Sequence, residues 1–182
     1  HLKLKLIFLF GFLFLLFSFY FFIAFSSFFF NWNEDYDVVK NTSWISVLMD
    51  SDLITQNSLG KLGALFSYLF VSVCFGISAY FIPVFLFFSG MRLLGYYLIN
   101  LKKYIRQSIW GLIWIPIFIS HFFGSDIFGG GIGINSSVFL TSLLGSIGTT
   151  LLIITTFLIF ITLKFNITAK VIIDFIQSLK PK

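Results

Sequence analysis

Between Leu6 and Phe30 this chain carries no charged residue, and the same holds from Leu62 to Met91 and from Val138 to Leu163. A helix needs about 20 predominantly apolar residues to cross the hydrocarbon of a bilayer, and each of these runs supplies them. A fourth, Ile109 to Phe123, is shorter and reaches that length only if Tyr104 to Ser108 joins it, which brings Lys103 and Arg106 to the interface. Composition agrees: 58% of residues are hydrophobic, 28 are Phe, and 10% are charged, against about 25% in a soluble domain. The expected fold class is therefore an all-α integral membrane domain of four transmembrane helices. Its expected spans are 6–30, 74–98, 104–123 and 138–163, its outer loops 31–73 and 124–137, and its tail 164–182. The first run exceeds the 7 to 15 residues of a cleavable signal core and has no small-residue cleavage site after it, so it reads as a retained anchor. The chain opens on His1, which leads us to expect a piece of a longer polypeptide.

Charge placement orients these spans. The N-terminus, residues 92–106 and the tail together carry a net +9, whereas the two other connections carry −4, which yields the overall +5. Basic residues collect on the cytoplasmic side of membrane proteins, so both termini and the loop bearing Arg92, Lys102, Lys103 and Arg106 are expected there. Trp32, Trp44, Tyr96, Tyr97, Tyr104 and Trp110 fall at the expected boundaries, where amphipathic rings favour the headgroup level. The net charge thus encodes topology rather than nucleic-acid binding. Cys74 is single and forms no internal disulfide.

The run from Leu62 to Met91 would measure about 45 Å as one straight helix, against about 30 Å of hydrocarbon. A break near Gly76 is expected, with residues 58–73 as a helical elbow at the outer surface and Pro83 as a kink; helix tilt is the competing explanation. From Phe165 to Leu179, apolar residues at helical spacing predict an amphipathic cytoplasmic helix ended by Pro181.

Several motifs imitate chemical sites and fail on inspection. "GGGIGINSSVFLTSLLGSIGTT", Gly129 to Thr150, looks like a phosphate loop, but no Lys-Ser/Thr pair follows its glycines. Ser136 stands where a dinucleotide fingerprint needs its third glycine. "NEDYD", Asn33 to Asp37, starts like a calcium loop, yet Val38 and Trp44 occupy the positions of the obligatory Gly and Glu. His121 and Asp126 read as interfacial groups rather than a proton relay. No catalytic constellation, cofactor site or metal site is expected in this chain. The acceptor-like Asn41, Asn135 and Asn166 triplets are discarded as chance matches. No Asp, Glu, Lys or Arg lies centrally in an expected span, which disfavours the alternative readings of a small transporter or channel subunit; a scaffold subunit of another envelope complex is a third.

The glycines are then turn and packing residues. "LGKLGAL", Leu59 to Leu65, and "LGSIGTTL", Leu144 to Leu151, share the pattern Leu-Gly-x-Leu/Ile-Gly, each beside an inward-running span, consistent with two helical-hairpin repeats. Ser142, Ser146 and Thr150, and likewise Ser72, Gly76 and Ala79, form small-residue rows of the kind that let helices approach closely in lipid. Gly129 to Gly133 are expected to shape the second outer loop, with Asn135 or Ser136 capping the helix that follows.

In order along the chain, Gly60, Gly63, Ala64, Phe75, Gly76, Ala79, Tyr80, Pro83, Gly90 and Arg92, and then Gly130, Gly133, Gly145, Gly148 and Thr149, match a series of glycine motifs. On these residues the chain resembles the N-terminal four-span membrane domain of FtsK/SpoIIIE-type DNA translocases. Its Phe, Ile and Lys bias and "FNW" after the first span are similar to the Bacteroidetes branch. The resemblance implies a multi-pass inner-membrane anchor of a septal DNA pump acting in chromosome segregation and cell division. It implies a homo-oligomer, contacts with other division proteins, and ATP, magnesium and DNA bound only by a cytoplasmic motor outside this chain.

Overall fold

In lipid every backbone polar group must be satisfied within the protein, which leaves the helix as the default for apolar runs such as these. The computed structural model describes residues 2–165, and it contains helices and no strand among them. The elements are α1 (Leu2–Phe30), α2 (Trp32–Asn41), α3 (Trp44–Met49) and α4 (Gly60–Ser67), a π-helical segment (Tyr68–Phe75), a 3₁₀ segment (Gly76–Tyr80), α5 (Phe81–Leu93), α6 (Leu101–Phe123) and α7 (Asp126–Phe165). Among the described residues, three helical runs are long and apolar enough to cross a membrane: Leu2–Phe30, Gly60–Leu93 and Asp126–Phe165. The remaining long helix, α6, has 23 residues and carries Lys102, Lys103 and Arg106 in its first two turns. The amphipathic helix expected at 165–179 lies outside the described residues apart from Phe165.

The chain divides into two compact units, residues 1–138 and 139–182, and α7 runs from one into the other. The first unit is built on α1. Its buried residues Ala24, Phe25 and Phe28 pack with Val71 of the π-helical segment and Ala79 of the 3₁₀ segment. Around them Phe21 meets Phe66 and Phe70 edge to face, Phe25 meets Tyr80 in the same way, and Phe29 stacks on Phe128. Such aromatic pairs add directionality to packing that in lipid has no hydrophobic driving force. Lower on α1, Gly11 faces Gly90 of α5, and a Cβ on Gly90 would stand 2.8 Å from the Gly11 carbonyl oxygen. Ser18 fixes the same pair of helices, its hydroxyl donating to the Pro83 carbonyl at 2.7 Å.

The helix expected at 58–73 is present as α4 and the π-helical segment, and two further stretches expected as outer loop are also helical. Within 31–57, α2 and α3 are helices, and their Val39 and Val47 form a second buried cluster with Ala64 and Leu65 of α4. Within 124–137, helix begins at Asp126, so the Gly129–Gly133 run lies inside α7 and Asn135 and Ser136 are mid-helix residues rather than caps. The physical reason is the environment: glycine favours turns where water can satisfy the freed backbone, and a run packed among apolar helices keeps its bonds internal. At 40 residues α7 would be about 60 Å long, twice a bilayer core, and positive φ at Gly130 (62°) and Gly145 (70°) divides its backbone.

Candidate functional site

The long apolar run from Gly60 changes helix type at Gly76, where the wide π-helical turns meet the tight 3₁₀ turns. Gly76 has φ 56° and ψ −137°, a backbone region that residues with a Cβ avoid. It also has no room for one. A Cβ there would lie 1.9 Å from the Phe128 carbonyl oxygen and 2.7 Å from the Gly129 carbonyl carbon. The contact is reciprocal, since a Cβ on Gly130 would lie 2.4 Å from the Gly76 nitrogen and 2.7 Å from the Val71 oxygen. Next along the chain, Gly131 abuts the Val73 carbonyl at 2.4 Å on the same measure.

The other side of the glycine run faces α6. A Cβ on Gly133 would stand 2.4 Å from the carbonyl oxygen of Pro116, and one on Gly129 would overlap the Ser120 hydroxyl. Pro116 is fully buried inside α6, where its ring removes a backbone donor and perturbs the local turn, and the Ser120 hydroxyl is buried without a hydrogen-bond partner. The start of α7 is thus clasped between the π-helical segment and α6 by main chain on main chain. Contact of this kind permits Cα–H···O interactions and is closed to any residue larger than glycine.

A second glycine pair serves a different purpose. Asn57 reaches into the fold and donates from its side-chain amide to the Ala24 carbonyl at 2.9 Å, while its Oδ1 accepts from the Leu59 amide at 3.1 Å. Gly60 follows in a tight turn, φ 64°, with its amide donating to the Asn57 carbonyl at 2.7 Å. Gly63 leaves space for the Asn57 amide, as a Cβ would fall 2.3 Å from Oδ1. Beside this hook Ser27 Oγ accepts from the Ser58 amide at 2.8 Å, and Asp35 Oδ1 accepts from the Gln56 amide at 2.7 Å. Asp35 is fully buried and its Oδ2 has no partner. Burial raises its pKa above the ordinary carboxylate value, with Glu34 adding to the rise, against the lowering effect of the Gln56 and Asn57 amides.

The structure therefore brings together Gly76, Gly130 and Gly133 in one clasp and Gly60 with Gly63 in the hook, while Pro83 takes the Ser18 bond on the α1–α5 contact. Gly145 and Gly148 belong to the second unit. At Gly145 a Cβ would meet nothing within 4 Å, so its positive φ rather than close packing is what calls for glycine there, and Gly148 meets only Leu144 of its own helix at 3.0 Å. Thr149 donates to the Gly145 carbonyl at 3.0 Å. Arg92, Lys102, Lys103 and Arg106 are all exposed; Arg92 lies over the Tyr97 ring and Asn100 caps α6 by accepting from the Lys103 amide. Sequence reasoning missed Gly11, Pro116, Ser120, Asn57 and Asp35. A lone glycine in a Phe-rich span and a proline in an apolar run were readable signals for Gly11 and Pro116, whereas nothing local marks the other three. No group of three or more His, Cys, Asp or Glu residues could hold a metal among the described residues.

The family of the 4TM region of DNA translocase FtsK/SpoIIIE matches residues 7–177, a stretch that contains all of these glycines. The chain belongs to the FtsK/SpoIIIE 4TM family. No curated protein and no solved structure matches it. As a 4TM region it is a multi-pass membrane domain whose role is to anchor a DNA translocase.

Proposed function

We propose that this domain tethers a septal DNA pump to the cytoplasmic membrane, with four spans, two hairpin repeats and both termini in the cytoplasm, in chromosome segregation and cell division. The family match over residues 7–177 carries the reading. The split of +9 against −4 between alternate connections supports the orientation, and α6 serves as the fourth span with its basic first turns at the inner interface. A homo-oligomer in contact with other division proteins would set the geometry of a ring-shaped motor. ATP, magnesium and DNA belong to that motor, reached through the tail beyond Lys164, and not to any residue of the helices described above.

Two measurements test this. The intact protein from native membranes should have a mass well above the 20.9 kDa of this chain, and its extension should carry a G-x-x-x-x-G-K-[ST] loop. A fluorescent fusion should gather at the division septum, and its depletion should leave unsegregated DNA. A native polypeptide of about 20.9 kDa spread evenly over the envelope would overturn the reading.

A further inference from the structure

The connection between α1 and α4 exposes more apolar surface than an aqueous loop tolerates. Ile45 is 73% exposed, Met49 80% and Ile54 75%, with Trp44 and Leu48 about half exposed. Contiguous exposure of this size on a soluble surface marks a binding face. Its occupant can be identified from where the connection sits. Asn57 is bonded to the carbonyl of Ala24, six residues before the end of α1, which places the hook about 9 Å back along that helix. Ser58 is bonded to Ser27 at a similar level. Ala24 and Ser27 lie within the uncharged run of α1, so the connection folds back alongside apolar helix instead of standing out in water.

α3 is fixed at the same level. Val47, its one buried residue, packs with Ala64 and Leu65, inside the first turns of the apolar run that begins at Gly60. The helix has polar ends, Ser43 as its cap and Asp50 after its last turn, where Lys61 Nζ donates to the Asp50 carbonyl. Between those ends it has no charge. On α4, against which Val47 packs, Leu62 and Phe66 are exposed as well. A short helix with polar ends, a Trp at its start, exposed apolar residues and a transmembrane run packed against it is shaped for the boundary between headgroups and acyl chains.

We infer that α3 and the Ile54 region are seated in the lipid leaflet, with Ile45, Leu48, Met49 and Ile54 in contact with acyl chains. The connection is then a membrane-surface element, and the aqueous face of this end of the domain is left to α2 with Glu34, Asp37 and Lys40 and to the exposed turn of Asp50, Ser51 and Asp52.

Site-directed spin labelling of the intact polypeptide tests it, in vesicles of three parts phosphatidylethanolamine to one part phosphatidylglycerol. A nitroxide is placed at Met49→Cys in a Cys74→Ser chain, and its relaxation by oxygen is compared with that by a water-soluble nickel chelate. Phe12→Cys in α1 and Asp37→Cys in α2 supply the lipid and water references. The oxygen-to-nickel ratio at Met49 should lie near that of Phe12 and well above that of Asp37. A ratio equal to that of Asp37 overturns the inference in favour of water. An immobile label shielded from both reagents overturns it in favour of a protein partner or a second copy. Ile45→Cys gives the same decision if the Met49 variant does not fold. A watery Phe12 would instead overturn the membrane reading itself, so the two failures are distinguishable.

Discussion

Replacing Gly76 with Ala separates the two demands that the clasp makes on that residue. The first is conformational: φ 56° with ψ −137° costs an L-residue about 1–3 kcal/mol. The second is steric, because the new Cβ would start 1.9 Å from the Phe128 oxygen, whereas real Cβ contacts essentially never fall below 3.0 Å. The difference is 3.0 − 1.9 = 1.1 Å, and both partners are main chain, so either the start of α7 or the junction of the π and 3₁₀ segments has to move. Overpacking of this kind costs about 1–3 kcal/mol, which brings the expected loss to about 2–6 kcal/mol. Two control variants isolate each demand. Gly124→Ala tests positive φ alone, since Gly124 ends α6 at φ 59°, ψ 24° with nothing within 4 Å, and should cost about 1–2 kcal/mol. Gly131→Ala tests crowding alone, 2.4 Å from the Val73 oxygen, and should cost about 1–3 kcal/mol. Reversible unfolding in mixed detergent micelles, titrated with SDS and followed by far-UV circular dichroism, ranks the three. If Gly76→Ala is no worse than Gly124→Ala, the main-chain clasp does not exist in the folded protein.

The remaining predictions concern other parts of the fold. Gly63→Ala should destabilise by about 1–3 kcal/mol in the native background and by less when Asn57 is already Ala, because the nearest clash, 2.3 Å, is with the Asn57 side chain and only the 2.8 Å approach to Leu59 Cβ would remain; additive losses in that double-mutant cycle would refute the hook. The raised pKa of Asp35 means that the folded state binds its proton more tightly than the unfolded chain, so the Asp35 contribution to stability is full below the ordinary carboxylate pKa and is lost as pH rises through the raised one. Asp35→Asn should remove that fall, which stability curves from acid to neutral pH would detect, and an unchanged pH profile would count against it. Reporter fusions after Lys5, Arg106 and Lys182 should signal cytoplasm and insertions near Asn41 and at Gly124–Ser125 the exterior, with an external signal at Lys182 excluding the four-span arrangement. Leu151→Phe, at a site 60% exposed, should leave detergent-extracted yield unchanged, whereas Gly145→Leu should lower it through its φ of 70°.

Much of the architecture was legible because lipid simplifies the rules. Uncharged runs of spanning length announced α1, the stretch from Gly60 to Leu93 and most of α7, since only apolar side chains and internal hydrogen bonds are admissible there. The excess length of 62–91 pointed to Gly76 as a place where regular helix could not simply continue. The features that stayed hidden depend on partners distant in sequence. Gly129–Gly133 looks like a loop until Val73 and Pro116 are seen pressed against it, and Asn57 looks like one polar residue among several until Ala24 is found beneath it. Asp35 was concealed by its neighbours, because an acidic run on a connection reads as a solvated face and nothing local shows that one carboxylate of the run turns inward.

The pairing of a π-helical segment with a 3₁₀ segment governs where this chain can change length. A π turn holds an additional residue per turn and a 3₁₀ turn holds fewer than an α turn, so deleting one residue between Tyr68 and Phe75 can return a wide turn to α geometry without rotating α5. No such slack exists in the tight turns from Gly76 to Tyr80. A deletion there would turn α5 by about 100° about its axis, the angle per residue of a helix with 3.6 residues per turn. Gly90 would leave Gly11 and Pro83 would leave Ser18. Natural length variation in the middle of this domain should therefore collect on the N-terminal side of Gly76 and be purged from the five residues that begin with it.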